Sequence, residues 1–323
     1  MTREVVTKLL ESKDGLELGG ETREITMIMS DIRGFTAHIA DMQPHQVVLF
    51  LNRYLGKMVE IIQDHGGIVD EIMGDGIFAF FGAPEPLNDH PARAVACALK
   101  MQIAMEDVNA CNRKDGFPCI EMGIAVHTGT VVVANIGSER RTKYGVVGSE
   151  VNLTGRMESY AVGGQVLVSD ATYERMPNTL DVADVLSVQV KGLASTSVLY
   201  DVIGISEPYN VRLPVLIENL IPLREEIEVR LYALDRKVVA GEPLSASITH
   251  FSPKRVTVWS TYPLNRWDEV KIQILDTNLA LMSRECYAKV ISVKQVEGQY
   301  ECLMRFTSIP SEVVGALQQA ASA

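Results

Sequence analysis

At 323 residues the chain is long enough for about two domains, and 47% hydrophobic residues with 22% charged describe folded cores, not disorder. A net charge of −11 argues against a nucleic-acid binder, and it requires that any polyanionic ligand be held by local cations. Five dispersed cysteines with no Cys-x-x-Cys pair predict reduced thiols in a cytoplasmic protein, and no apolar run approaches the roughly 18 residues of a membrane span.

In chain order, residues 1–21 predict a short helix, Val5 to Leu10, followed by a glycine-containing connector ending at Gly19-Gly20. The run Ile25-Thr-Met-Ile-Met29 predicts a buried strand that delivers Asp31 at its end. Pro44 opens a helix whose apolar positions Val47, Leu51, Tyr54, Leu55, Met58 and Ile62 follow the helical period, and Gly66-Gly67 stops it. Two apolar runs follow, Ile68 to Met73 and Ile77 to Phe81, joined by the hairpin signal Gly74-Asp75-Gly76. Asn88-Asp89-His90-Pro91 caps a second long helix ending near Asn112. Next come a strand from Gly123 to His127, a glycine-marked turn and a further hairpin from about Thr130 to Val147. A third helix starts after Gly148-Ser149.

This β-α-β-β-α-β order is ferredoxin-like and makes residues 22–205 an α+β domain. It lays the first strand beside the middle hairpin, so Asp31 and Asp75 converge although far apart in sequence. Pro208, Pro214 and Pro222 mark 206–222 as a linker. Strand runs at Ser245 to Ile248, Val256 to Trp259, Val270 to Ile274, Ala288 to Val293 and Tyr300 to Phe306 then predict a small all-β barrel over 223–323. A helix from Ser311 to Ala320 ends the chain.

Each aspartate alone reads as a solvated turn residue. Two on adjacent elements suit magnesium, which takes one or two carboxylates plus substrate phosphates. The surrounding segments sharpen this. Ser30-Asp31-Ile32-Arg33-Gly34-Phe35-Thr36, Met73-Gly74-Asp75-Gly76, Gly148-Ser149-Glu150-Val151-Asn152-Leu-Thr-Gly-Arg156 and Val190-Lys191-Gly192 occur in order. Together they resemble the class III nucleotide cyclases, from about Arg23 to Ile203. Ser149, Glu150 and Ala134 depart from common family residues at positions without a catalytic role there.

The resemblance implies that Asp31, Asp75 and the Ile32 carbonyl hold two divalent ions, Mg²⁺ or Mn²⁺. It places Phe35 and Thr36 beside the substrate, Asn152 at the ribose, Arg156 on the transition-state charge and Lys191 on the triphosphate of a purine nucleoside triphosphate. Metals and base are held by different subunits in the family, which implies a homodimer with composite sites. It also makes the first segment similar to connectors that follow an upstream sensor or membrane region.

Purine choice is read at two positions. Adenylyl members carry a lysine four residues before the second metal aspartate, with an Asp or Thr elsewhere to accept from the 6-amino group. Here the first position is Glu71, whose carboxylate accepts from guanine N1–H and the 2-amino group but opposes the adenine N1 lone pair. The second is Gly145, which leaves room for guanine O6. GTP is therefore the expected substrate, with ATP the alternative. A non-catalytic nucleotide-binding protein would lack a metal aspartate or the arginine, and neither is missing.

The C-terminal barrel resembles a PilZ domain around Ala246 to Arg255 and Asn265 to Ile272, which would make cyclic di-GMP its ligand. Only Ser252 of that motif survives, with His250 and Arg255 at altered positions and no Arg-x-x-x-Arg stretch. Those departures favour a regulatory or protein-contact barrel.

Overall fold

An uninterrupted apolar run such as Ile25 to Met29 suits a strand covered on both faces. The computed structural model describes residues 20–40, 42–138, 141–176, 178–189, 196–214, 219–235, 238–239, 242–275 and 285–321. In it this run is the centre of β1 (Gly20–Ile32). The helix expected at Val5 to Leu10 and the triphosphate candidate Lys191 lie outside the described residues.

The described chain forms two compact units that part after Pro214. In the first, β1 is followed by α1 (Phe35–Ile39), α2 (Pro44–Asp64), β2 (Ile68–Met73), β3 (Gly76–Phe81) and α3 (His90–Lys114). Then come β4 (Met122–Ser138), β5 (Arg141–Val147), α4 (Ser149–Glu158), β6 (Val166–Ser169), α5 (Asp170–Tyr173), β7 (Leu180–Val188), β8 (Ser197–Ile205) and β9 (Val211–Arg212). The sheet order is β2-β3-β1-β4-β6-β8-β7, with β5 on β4 and β9 on β8. Its first four strands have the ferredoxin-like arrangement, as expected.

Strand alternation splits the apolar residues between two faces. Ile28, Ala79, Phe81 and Val126 pack with Tyr54 and Met58 of α2 and Leu99 of α3. Met27, Phe78 and Phe80 turn the other way, onto Val131, Tyr144, Val146 and Val151. One face thus carries the two long helices, and the other is left for β5 and α4.

Local details depart from the expected pattern. Gly129 marks no turn, because β4 runs straight through it. A Cβ there would lie 2.7 Å from Glu150 Cγ, so the glycine admits a side chain from α4. Asp89 makes no side-chain cap to α3; its two oxygens take Arg93 Nε at 2.8 Å and the Tyr209 hydroxyl at 2.7 Å. Within the stretch expected as linker, Val211 and Arg212 pair with β8, and Ile221-Pro222 begin a strand.

In the second unit, β10 (Ile221–Asp235), β11 (Val238–Val239), β12 (Leu244–Phe251), β13 (Arg255–Ser260), β14 (Glu269–Ile274), β15 (Glu285–Val296) and β16 (Gln299–Ser308) precede α6 (Ser311–Ala321). Six of these strands close an all-antiparallel barrel in the order β10-β12-β13-β16-β15-β14, sealed by β14 pairing with β10. Sequence reading missed β10, although Ile227, Val229 and Leu231 alternate into the core between charged residues. Ser252, the surviving PilZ-like residue, accepts from Arg255 N at 2.9 Å and so closes the β12–β13 turn. All five cysteines are free.

The turn from α2 into β2 is tightly packed. A Cβ on Gly67 would sit 2.5 Å from Phe81 Cζ and 2.8 Å from Ile62 Cγ2. Gly67→Ala is expected to destabilise the first unit by about 1–3 kcal/mol, an overpacking penalty read from urea unfolding.

Candidate active site

Asp31 and Asp75 meet because of strand register. β1 and β3 pair from Thr26↔Phe81 to Ser30↔Ile77, which brings the next residue, Asp31, level with the start of β3. Asp75 sits just before it, in the two-residue turn that Gly74 enters at φ 67, a left-handed conformation that favours glycine. Ile32 N donates to Asp75 Oδ2 at 3.1 Å. Burial, a hydrogen bond with Asp31 and the charge of Asp31 push the Asp75 carboxyl up to about 7. A cation binding to these two crowded carboxylates would displace the proton from Asp75 into solvent.

A separate cleft of about 750 Å³ opens on the sheet face that carries β5 and α4. Glu71 of β2, Gly145 of β5, and Asn152 and Arg156 of α4 all line it. Asn152 and Arg156 are one helical turn apart and both exposed. Asp31 and Asp75 are not among its lining residues. One chain thus presents two distinct features: a carboxylate pair at a strand end, and a cleft that gathers the base, ribose and phosphate candidates. Phe35 packs against the first core from α1, and Thr36 beside it is exposed.

Helix α4 is braced from beneath. His127 Nε2 meets Glu150 Oε2 at 2.7 Å, and His127 Nδ1 meets Ser169 Oγ at 2.8 Å. Burial holds the His127 imidazole below its usual range, against the pull of Glu150. At the other end of the helix, Arg33 pairs with Glu158, both nearly buried. These contacts tie α4 to β4 at one end and, through Arg33, to the turn that follows Asp31 at the other.

Sequence reasoning missed two charged residues of the cleft, Asp70 and Lys143. Lys143 Nζ lies 3.0 Å from Asp70 Oδ2 and 3.6 Å from Glu71 Oε2. In a regular strand Asp70 and Glu71 would point to opposite faces. A bulge between Val69 and Glu71 breaks that alternation, and both line the cleft. Burial raises the Asp70 carboxyl above its ordinary range, opposed by the hydrogen bond from Lys143.

The family model for the adenylate and guanylate cyclase catalytic domain matches residues 19–203. Adenylate cyclase 1 of Rhizobium meliloti (strain 1021) is 29% identical over 213 residues, which cover 64% of this chain and 32% of that protein. The chain therefore spans about a third of the length of that relative. Among solved structures, the guanylyl cyclase Cya2 is similar at 49% identity and a TM-score of 0.60, over 61% of this chain and 100% of that one. The adenylyl cyclase CyaB from P. aeruginosa is similar at 30% identity and a TM-score of 0.57, over 59% and 98%.

A raised carboxyl has a definite consequence for stability. The folded chain holds the Asp75 proton more tightly than the unfolded chain does, so this contribution is complete at low pH and is lost as pH rises through about 7. In the presence of a chelator, Asp75→Asn is expected to raise the melting temperature at pH 8 and change it little at pH 5. An equal shift at both values would contradict the carboxylate pairing.

Proposed function

The chain belongs to the adenylate and guanylate cyclase family, and from that premise we propose that it is a homodimeric guanylate cyclase acting in cytoplasmic signalling. The 3′-oxygen of GTP attacks the α-phosphorus, the bond to the β-phosphate oxygen breaks, and cyclic GMP, pyrophosphate and the hydroxyl proton are released. The observation that carries this reading is one cleft holding Glu71, Gly145, Asn152 and Arg156 together. Glu71 accepts from guanine N1–H and the 2-amino group, Asn152 orients the ribose, and the Arg156 fork takes the charge spreading over the phosphate oxygens. Lys191 is assigned to the triphosphate, and Phe35 and Thr36 to its surroundings.

The donor set at the carboxylate pair fits divalent ions. There the protein offers two carboxylates and backbone oxygen, and among the described residues no group of three or more His, Cys, Asp or Glu could hold a metal. That donor set suits hard cations such as Mg²⁺ or Mn²⁺, completed by substrate phosphates. Bound by Asp31, Asp75 and the Ile32 carbonyl, two such ions would activate the 3′-hydroxyl and neutralise the departing pyrophosphate.

The separation of carboxylate pair and cleft supports composite sites, each made of two chains. Asp31→Ala and Arg156→Ala are each expected to be inactive alone. An equal mixture should regain about a quarter of wild-type activity, because half of random dimers are mixed and carry one intact site. No recovery would argue against sharing.

A second substrate reading has its own support, since the Rhizobium meliloti and P. aeruginosa relatives are adenylate cyclases whereas Cya2 is a guanylyl cyclase. Turnover of GTP and ATP compared with Mn²⁺ decides between them, and faster ATP cyclisation would overturn the guanylyl reading. For the barrel, the engagement of Ser252 in its own turn favours a regulatory or protein-contact role over cyclic di-GMP binding. Calorimetric titration of the full chain with cyclic di-GMP is expected to give no binding heat.

A further inference from the structure

Gly145 has no side chain, yet its position does not face empty space. A Cβ built there would lie 2.6 Å from Asp70 Oδ1. The Asp70 carboxylate therefore occupies the volume into which a side chain at 145 would project. That side chain is only 6% exposed, and its Oδ2 is held by Lys143 Nζ at 3.0 Å. Its Oδ1 is buried without a hydrogen-bond partner. An acceptor left this way is stabilised by any donor that a ligand brings to it.

We infer that Asp70 is a further specificity-determining residue, which reads the purine 6-position from the place a side chain at Gly145 would take. The inference rests on the assignment of this cleft to the purine. At its 6-position adenine offers an amino donor, whereas guanine offers a carbonyl acceptor. The orphaned oxygen of Asp70 therefore favours adenine there, while Glu71, its neighbour on the bulged strand, favours guanine at N1. The two adjacent carboxylates pull the selectivity in opposite directions. Lys143, within 3.6 Å of both, keeps the pair in one cleft. A glycine at 145 is then a steric requirement of Asp70 and not a guanine-selecting residue by itself.

The test is kcat/KM for GTP and for ATP in the homodimer with Mn²⁺. Asp70→Asn keeps the shape, and its amide can turn a donor toward guanine O6. It is expected to raise the GTP/ATP ratio by about tenfold, with the melting temperature recording any loss of fold. An unchanged or lowered ratio would overturn the inference. Should Asp70→Asn not fold, Glu71→Lys provides a second route. With Asp70 already supplying the acceptor, that single change should turn preference to ATP without any replacement at 145. A GTP/ATP ratio that is unchanged or raised in Glu71→Lys would also overturn it. The wild-type ratio alone tests the guanylyl reading, whereas the change in ratio tests Asp70 whichever base the wild type prefers.

Discussion

The first unit is organised around an unfavourable contact: two carboxylates, Asp31 and Asp75, forced together at the ends of paired strands. Burial, together with the hydrogen bond and charge of Asp31, raises the proton affinity of the Asp75 carboxyl. Flexible loops would simply move apart. Here β1 is locked between β3 on one side and β4 on the other, with its pairing to β4 continuous from Gly20↔Ala134 to Ile32↔Met122. The fully buried β3 and the helices packed over it supply the rigidity. Within the fold the Ile32 N–H bond to Asp75 offsets part of this repulsion, and under the proposed roles a bound cation would offset the rest.

Much of this was legible in the sequence, and the reasons are local. A glycine on either side of Asp75 specifies a tight turn. Pro44 and Pro91 mark helix starts, and the apolar run before Asp31 can only be a covered strand. Those signals fix the ferredoxin-like order, and the order alone brings the aspartates together. What stayed hidden depends on partners distant in sequence. Gly129 looks like a turn until Glu150 of α4 is seen beside it. The missed β10 begins with Ile221-Pro222, and the proline reads as linker although alternation resumes at Ile227.

The bulge at Asp70 is the most consequential of these hidden features. Periodicity assigns Asp70 and Glu71 to opposite faces, and no residue type in Ile68 to Met73 announces the extra residue. It becomes visible only as a shift in register against β3. A one-residue irregularity thus decides how many carboxylates face the cleft.

That placement also bears on how base preference is apportioned. Asp70 and Glu71 are chain neighbours and lie within reach of the same ammonium, so removing either charge leaves Lys143 to the other. Groups that share a partner do not contribute additively. A substitution at Glu71 therefore reports both its own lost contact with the base and the altered hold of Lys143 on Asp70. Under the proposed roles, a cleft described by Glu71 and Gly145 alone looks purely guanine-selective. With Asp70 included, it holds acceptors for both purines and discriminates by their difference. Small rearrangements of Lys143 would then be enough to change which base is preferred, with no change at either selector position.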